Sequence, residues 1–220
     1  MVFAKRPIPG QVKTRLTPAL SPERAAGLYW AMVQDTWALV SELADVKPYL
    51  FVNQPWEGFD ALVDGSPPLI QQGSDLGLRM YSCLQLLTGL NLKASVIVGT
   101  DSPTLPKAHI QAAFDLLENE DDAVLGPAED GGYYLVGCRR PHPGMFDEVS
   151  WSSPETLAQT RSAFDAQGYR VHLTPLWRDV DSIEDVRRLA QEPVGPAVKA
   201  WLRQNPLENP GRVVPRLPNP

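Results

Sequence analysis

The chain has 220 residues, 43% of them hydrophobic, and its 20 Lys and Arg are outnumbered by 26 Asp and Glu for a formal charge of −6. That size and composition suit one ordinary globular domain with a substantial core. The acidic balance excludes the extended basic face that nucleic acid or an anionic membrane surface requires.

No apolar run is long enough to cross a bilayer, and no signal-peptide pattern opens the sequence. Cys83 and Cys138 form neither a CxxC pair nor a disulfide framework, and His109, His142 and His172 have no zinc-ligand spacing. A cytoplasmic protein is expected.

In chain order, residues 2–4 read as the end of a short strand. Ser21 then caps a helix with Pro22 at its first position, and Ala25, Leu28, Tyr29, Met32, Val33, Leu39, Val40 and Leu43 continue its apolar stripe. Residues 48–53 and 69–72 read as short strands, and 76–90 as a helix. The strongest strand is ASVIVG at 94–99, and a helix over 106–119 follows. Two strands, DAVLGPA and GGYYLVGC, come next with only a turn between them. A helix over 154–167, a strand over 169–176 and a helix over 182–190, capped by Ser182, complete the pattern.

Strands alternating with helices predict an α/β fold with a mostly parallel sheet, and the helix-free pair around Tyr133 predicts one antiparallel excursion. Residues 1–204 read as one domain. The tail over 205–220 is rich in Pro and poor in apolar residues, so an extended or mobile segment is expected there. In such a sheet, ligands sit beyond the carboxyl ends of the strands, which directs attention to the loops that follow them.

The first of these, within VFAKRPIPGQVKTRL at 2–16, gathers Lys5, Arg6, Lys13 and Arg15 around a Pro-x-Pro-Gly turn. It is neither a Walker A loop nor a dinucleotide fingerprint. Gly10 lets the backbone approach an anion, Lys5, Lys13 and Arg15 supply charge, and Thr14 supplies a hydroxyl, so a phosphate is the expected ligand. Asp101, in VIVGTDSPTL, ends the best strand. A carboxylate there can present a divalent cation to phosphates, magnesium being content with one or two carboxylates plus phosphate and water.

Near the end, RDVDS offers Asp179 and Asp181, either of which could be a second metal ligand. In GPAEDGGYYLVG, Glu129 and Asp130 stand beside Gly131, Gly132 and Tyr133. This segment suits an acceptor pocket or a plain hairpin equally well. In QQGSDLGLRM, Asp75 caps the following helix most simply, and its position also allows contact with a ribose or base.

Taken in order, VFAKRPIPGQVKTRL, QQGSDLGLRM, VGTDSPTL, GPAEDGGYYLVG, Trp151 and RDVDSIEDV resemble a bacterial family of GT-A-fold nucleotide-diphospho-sugar transferases or glycosyltransferases. Some of its members are associated with radical-SAM proteins and arsenosugar biosynthesis. The resemblance covers roughly residues 2–189, and it extends in fold to molybdenum-cofactor and phospholactate guanylyltransferases. Family members usually carry several more apolar residues before VFAK.

The resemblance implies a three-layer α/β/α sandwich. It implies a nucleotide-phosphate loop at Lys5, Gly10, Lys13 and Arg15, a nucleoside loop at Asp75, and a metal site of Asp101 closed by Asp181. Mg2+ or Mn2+ is the cofactor expected.

The partners expected are a nucleotide or nucleotide-sugar and a small-molecule acceptor, with no nucleic acid or membrane, and a homodimer stays open. The reading adopted is a metal-dependent glycosyltransferase acting on a nucleoside-diphosphate sugar, with Asp101 and Asp130 catalytic. The alternative, which the crowded basic loop favours, is a nucleotidyltransferase that releases pyrophosphate. A non-catalytic nucleotide-binding module is the third reading, and the intact Asp101 and Asp181 argue against it.

Overall fold

A computed structural model describes residues 1–63, 67–90, 92–120 and 122–207. The strands are β1 (Val2–Ala4), β2 (Leu50–Val52), β3 (Leu69–Ile70), β4 (Ser95–Val98), β5 (Asp122–Pro127), β6 (Tyr133–Cys138) and β7 (Arg170–Leu173). The helices are α1 (Pro22–Ser41), α2 (Glu57–Leu62), α3 (Leu76–Thr88), α4 (Lys107–Asp115), α5 (Thr156–Ala166), α6 (Ile183–Leu189) and α7 (Pro196–Gln204). Short 3-10 turns occupy Thr14–Leu16 and Pro143–Phe146.

Among the described residues, seven strands form one sheet in the order β3-β2-β1-β4-β6-β5-β7. Only β6 is antiparallel to its neighbours, β4 and β5. It is the antiparallel excursion expected, because the turn at residues 128–132 leaves no length for a crossover helix.

Side chains alternate between the two faces as the two-residue period of a strand demands. Val2, Ala4, Leu50, Val52, Val96, Val98 and Val124 join one core with Tyr29 and Val33 of α1, Phe59 of α2 and Ile110 of α4. Phe51, Ile97, Ala123, Leu125 and Val136 join the other with Met80 and Leu84 of α3 and Phe164 of α5. Helices on both faces make three layers. Cys83 and Cys138 lie buried in the second core, where loss of solvation pushes each thiol up to about 12.

Local chemistry sets the boundaries. The Ser21 side chain accepts from Arg24 N, with Pro22 at the first helical position, so α1 starts where the sequence indicates. Ser182 and Asp185 form a reciprocal capping box at α6. Two helices, α2 and α7, were not expected. The first is a turn and a half wedged by the edge-on cluster of Trp30, Trp56 and Phe59.

Helix α7 packs Val198 and Trp201 onto the outer face of α1, with Leu28 and Met32 and with Val186 and Leu189 of α6. The expected tail therefore begins in ordered structure. Arg24 Nε donates to Asn205 Oδ1 and Leu207 packs on this third core. The rest of the tail, 208–220, lies outside the described residues.

Asp35 of α1 caps α7 from a distance, its two carboxylate oxygens accepting from Ala197 N and Val198 N at 2.9 Å each. These are helix-start donors with no partner inside the helix. Asp35→Ala should lower stability by about 1–2 kcal/mol, as loss of an N-cap usually does, at an unchanged denaturant slope. A urea midpoint equal to that of the wild type would show that water serves these amides as well.

Candidate active site

The chain leaves β1 toward β2 on one side, and later returns to place β4 on the other. That reversal opens a crevice at the carboxyl ends of β1 and β4, the usual ligand position in an open α/β sheet. A cavity of about 950 Å³ fills it. It is at the upper end of the range for small-molecule sites, so there is room for two reactants.

Three segments converge here. The basic loop leaves β1 and turns at Gly10, whose φ is +77°. The Asp101 loop leaves β4. The third segment travels furthest: after β7 the chain runs back across the sheet, with Trp177 N donating to Pro127 O and Val180 N to Asp101 O. Those bonds deliver Asp179 and Asp181 from the far edge to the crevice.

Lys13 ties the three together. Its backbone is left-handed, with φ 47° and ψ 41°, a conformation that costs an L-residue roughly 1–2 kcal/mol. Its Nζ lies 2.7 Å from Val180 O, 2.5 Å from Asp101 Oδ1 and 3.1 Å from Asp181 Oδ1. The Lys13 side chain is only 5% exposed, whereas those of Asp101 and Asp181 are 49% and 36% exposed. Burial alone would lower its pKa, but the charges of Asp101 and Asp181 outweigh burial and raise it. Arg15 reaches the other oxygen of Asp181 at 2.9 Å from the solvent side.

Tyr29, on α1, lies beneath the crevice. Its hydroxyl accepts from Lys5 N and from Thr100 Oγ1, joining the exits of β1 and β4. Burial, with Asp101's charge added, pushes its pKa up to about 12, so it stays a neutral phenol. The Gln71 amide donates to Ala4 O and Phe51 O and closes the sheet end below the cavity.

Asp179 is hydrogen-bonded by Ser102 Oγ. Burial pushes its pKa up to about 6 against that bond, and the charge of Asp101 adds to the rise.

Of the residues the sequence singled out, Lys5, Lys13, Thr14, Arg15, Asp75, Asp101, Asp130, Tyr133 and Asp181 all line this cavity. Gly10, Gly131 and Gly132 do not. Gly10 shapes the loop. Gly131 has φ +87° and would put a Cβ 2.2 Å from Pro154 O, and Gly132 N donates to Asp130 Oδ1, so this pair builds the β5–β6 turn.

Asp75 is the cap of α3, accepting from Leu78 N at 2.9 Å. Tyr133 contributes its ring alone, because its hydroxyl is buried away from solvent without a hydrogen-bond partner among the described residues.

Sequence reasoning did not single out Tyr29, Arg79 or Ser102 as site residues. Arg79 lines the cavity with its Nε anchored on Gly73 O. It stood inside the quoted QQGSDLGLRM stretch, one turn after the cap, and that position was the signal available.

Among the described residues, four cations line the cavity against five carboxylates. A polyphosphate entering a wall with this balance needs additional positive charge. Asp101 and Asp181 both point an oxygen at the Lys13 ammonium, so two hard donors converge on one place. No group of three or more His, Cys, Asp or Glu among the described residues could hold a metal by itself. The donor set fits a cation that takes its remaining ligands from phosphate and water, which is the habit of magnesium.

The DUF2064 family model, described as an uncharacterized protein conserved in bacteria, matches residues 37–153, and the chain belongs to that family. It is 25% identical over 196 residues to phosphoenolpyruvate guanylyltransferase from Roseiflexus castenholzii, with 87% of this chain and 88% of that protein aligned. A crystal structure from Desulfovibrio desulfuricans G20, named "putative nucleotide-diphospho-sugar transferase", superposes with a TM-score of 0.83 at 32% identity over 93% of both chains.

The CMP:2-keto-3-deoxy-manno-octonic acid synthetase complexed with CTP shares the fold alone, at 12% identity and a TM-score of 0.56, over 86% of this chain and 96% of that one. The fold is that of the nucleotide-diphospho-sugar transferases, and the chain is an enzyme of the transferase class. Among the described residues no helix is long and apolar enough to cross a membrane.

Proposed function

We propose that this DUF2064-family transferase is a metal-dependent nucleotidyltransferase that binds a nucleoside triphosphate, joins the nucleotide to an acceptor and releases pyrophosphate. The observation that carries the reading is the convergence of Lys13, Arg15, Asp101 and Asp181 at the β1–β4 crevice, with Lys5 and Arg79 lining the same cavity. Among the described residues neither Lys5 nor Arg79 is in an ion pair, so both are available to phosphate oxygens.

Asp101 and Asp181 would hold Mg2+ or Mn2+, which when bound neutralises phosphate charge and stabilises the departing pyrophosphate. Arg15, kept in place by Asp181, aims a guanidinium at the same region. Asp75 and Arg79, at the start of α3, border the space for the nucleoside.

Asp130, Tyr133 and Trp151 line the same cavity and would border the acceptor. Asp130 spends one oxygen on Gly132 N and keeps the other for an acceptor hydroxyl or a bound water.

The relative from Roseiflexus is named for a guanylyl transfer to phosphoenolpyruvate, which makes GTP and phosphoenolpyruvate the first pair to try. Pyrophosphate release, followed through a coupled pyrophosphatase, should require both substrates and Mg2+.

A second reading, glycosyl transfer from a nucleoside-diphosphate sugar, is supported by the name of the Desulfovibrio relative. Release of a nucleoside diphosphate from a sugar nucleotide, with no pyrophosphate from any of the four common triphosphates, would put that reading in place of the first.

A further inference from the structure

We propose that Lys13 is a tethered stand-in for the divalent cation. Its ammonium holds Asp101 and Asp181 together, and gives them up only when nucleotide phosphates offer it new acceptors. The proposal rests on the nucleotide and metal reading above and adds an order to it.

The three oxygens on Lys13 Nζ are two carboxylates and a main-chain carbonyl, at 2.5, 3.1 and 2.7 Å. The ammonium donates to Val180 O and Asp181 and forms an ion pair with Asp101, and these oxygens are also the hard donor set that a divalent cation prefers. A lysine ammonium and a divalent cation cannot share that position, since like charges in contact repel strongly.

Exposure separates the partners. The Lys13 side chain is only 5% exposed, whereas Asp101 is half exposed. Asp101 Oδ2 accepts no hydrogen bond among the described residues, and the side chain is half exposed, so one oxygen is free for an incoming ligand.

Without a positive charge between them, two carboxylates converging on one point would repel each other, and Lys13 removes that cost. Its stem is flexible and its charge compact, so it can change acceptors without moving the main chain. The loop that carries it has room to adjust at Gly10, where even an added Cβ would meet nothing within 4 Å. Arg15 keeps hold of the outer oxygen of Asp181 meanwhile. By linkage, nucleotide and divalent cation then each strengthen the other's binding, and the cation alone binds weakly.

The test is Mn2+ binding, read by electron paramagnetic resonance of the free ion, in the wild type and in Lys13→Met, first with MnCl2 alone and then with GTP. Lys13→Met should bind Mn2+ at least about tenfold more tightly than the wild type in the absence of nucleotide. Lys13→Gln, which keeps a donor for Val180 O, serves as a second variant should the first fail to fold, with the same expectation.

Equal Mn2+ affinity in wild type and variant without nucleotide, with Mn2+ retained in the GTP complex, would overturn the exchange and leave the metal site standing. Absence of Mn2+ from every GTP complex would overturn the metal reading and the exchange with it.

Discussion

Asp101→Asn should lower the rate of pyrophosphate release by at least about two orders of magnitude, corresponding to roughly 3 kcal/mol of lost charge stabilisation. The substitution keeps the shape of the side chain, and Lys13 retains Asp181 and Val180 O as partners. The carboxylate is half exposed, so its pairing with Lys13 is partly screened by solvent. Stability should therefore change by no more than about 1 kcal/mol. The main-chain bond from Val180 N to Asp101 O, which positions the Asp179–Asp181 segment, is untouched. Steady-state kinetics beside a urea melt separate the two effects. Full turnover by the folded variant would place the essential carboxylate elsewhere.

The largest effect on stability is expected at the other end of the sheet. Asp122 begins β5 with its side chain only 1% exposed. Oδ1 accepts from Arg170 at 2.7 Å and faces His172 Nε2 at 3.2 Å, while Oδ2 accepts from Asn119 N at 2.7 Å. Burial alone would raise the pKa of this carboxyl. The bonds from the Asn119 main chain, Arg170 and His172 outweigh it and hold the pKa well below the usual carboxylate range.

Asp122→Ala should cost roughly 3 kcal/mol at neutral pH, the low end for breaking a buried pair, because Arg170 itself is largely exposed. The sign with pH follows from the lowered pKa. The stabilisation is complete above the unfolded carboxyl pKa of about 4, and shrinks by about 1.4 kcal/mol per unit below it. Urea titrations at pH 7 and pH 3 should show the gap between wild type and variant narrowing by about 1 kcal/mol. A gap that is constant or widens at pH 3 would mean that this carboxylate is not held ionised by its neighbours.

Much of the fold is written in local pattern. The apolar runs at β4, β5 and β6 and the cap signals at Ser21–Pro22 and Ser182 are short-range features, and the structure follows them. The antiparallel strand was legible because a Gly-Gly turn cannot hold a crossover helix. Helix α7 was missed although Gly195–Pro196 is a fair start signal, since only Val198 and Trp201 of its nine residues are buried. Its start depends on Asp35, 162 residues away, which no local reading detects.

The same distinction divides the site. Charge clustering after β1 and a carboxylate after β4 stand out in the sequence. That Lys13 spends its charge on Asp101 and Asp181 does not, because the partners are brought in by the run of chain that crosses back from β7. Tyr29 looked like one more apolar position on the stripe of α1. Its phenol reaches the crevice only because α1 packs directly beneath β1 and β4, where it meets Lys5 and Thr100. Asp179 and Asp181 look alike in RDVDS, yet burial against Ser102 sets the first apart while Lys13 and Arg15 hold the second.

The most direct test of nucleotide binding in this crevice is crystallography of the wild type with Mg2+ and the non-reactive analogue in which a methylene replaces the α,β-bridging oxygen of GTP. Triphosphate density is expected between the ends of β1 and β4, in contact with Arg15 and facing Asp101. A nucleotide seated elsewhere, such as in the cavity of about 310 Å³ between the start of α3 and residues 143–151, would contradict that placement and the function built on it.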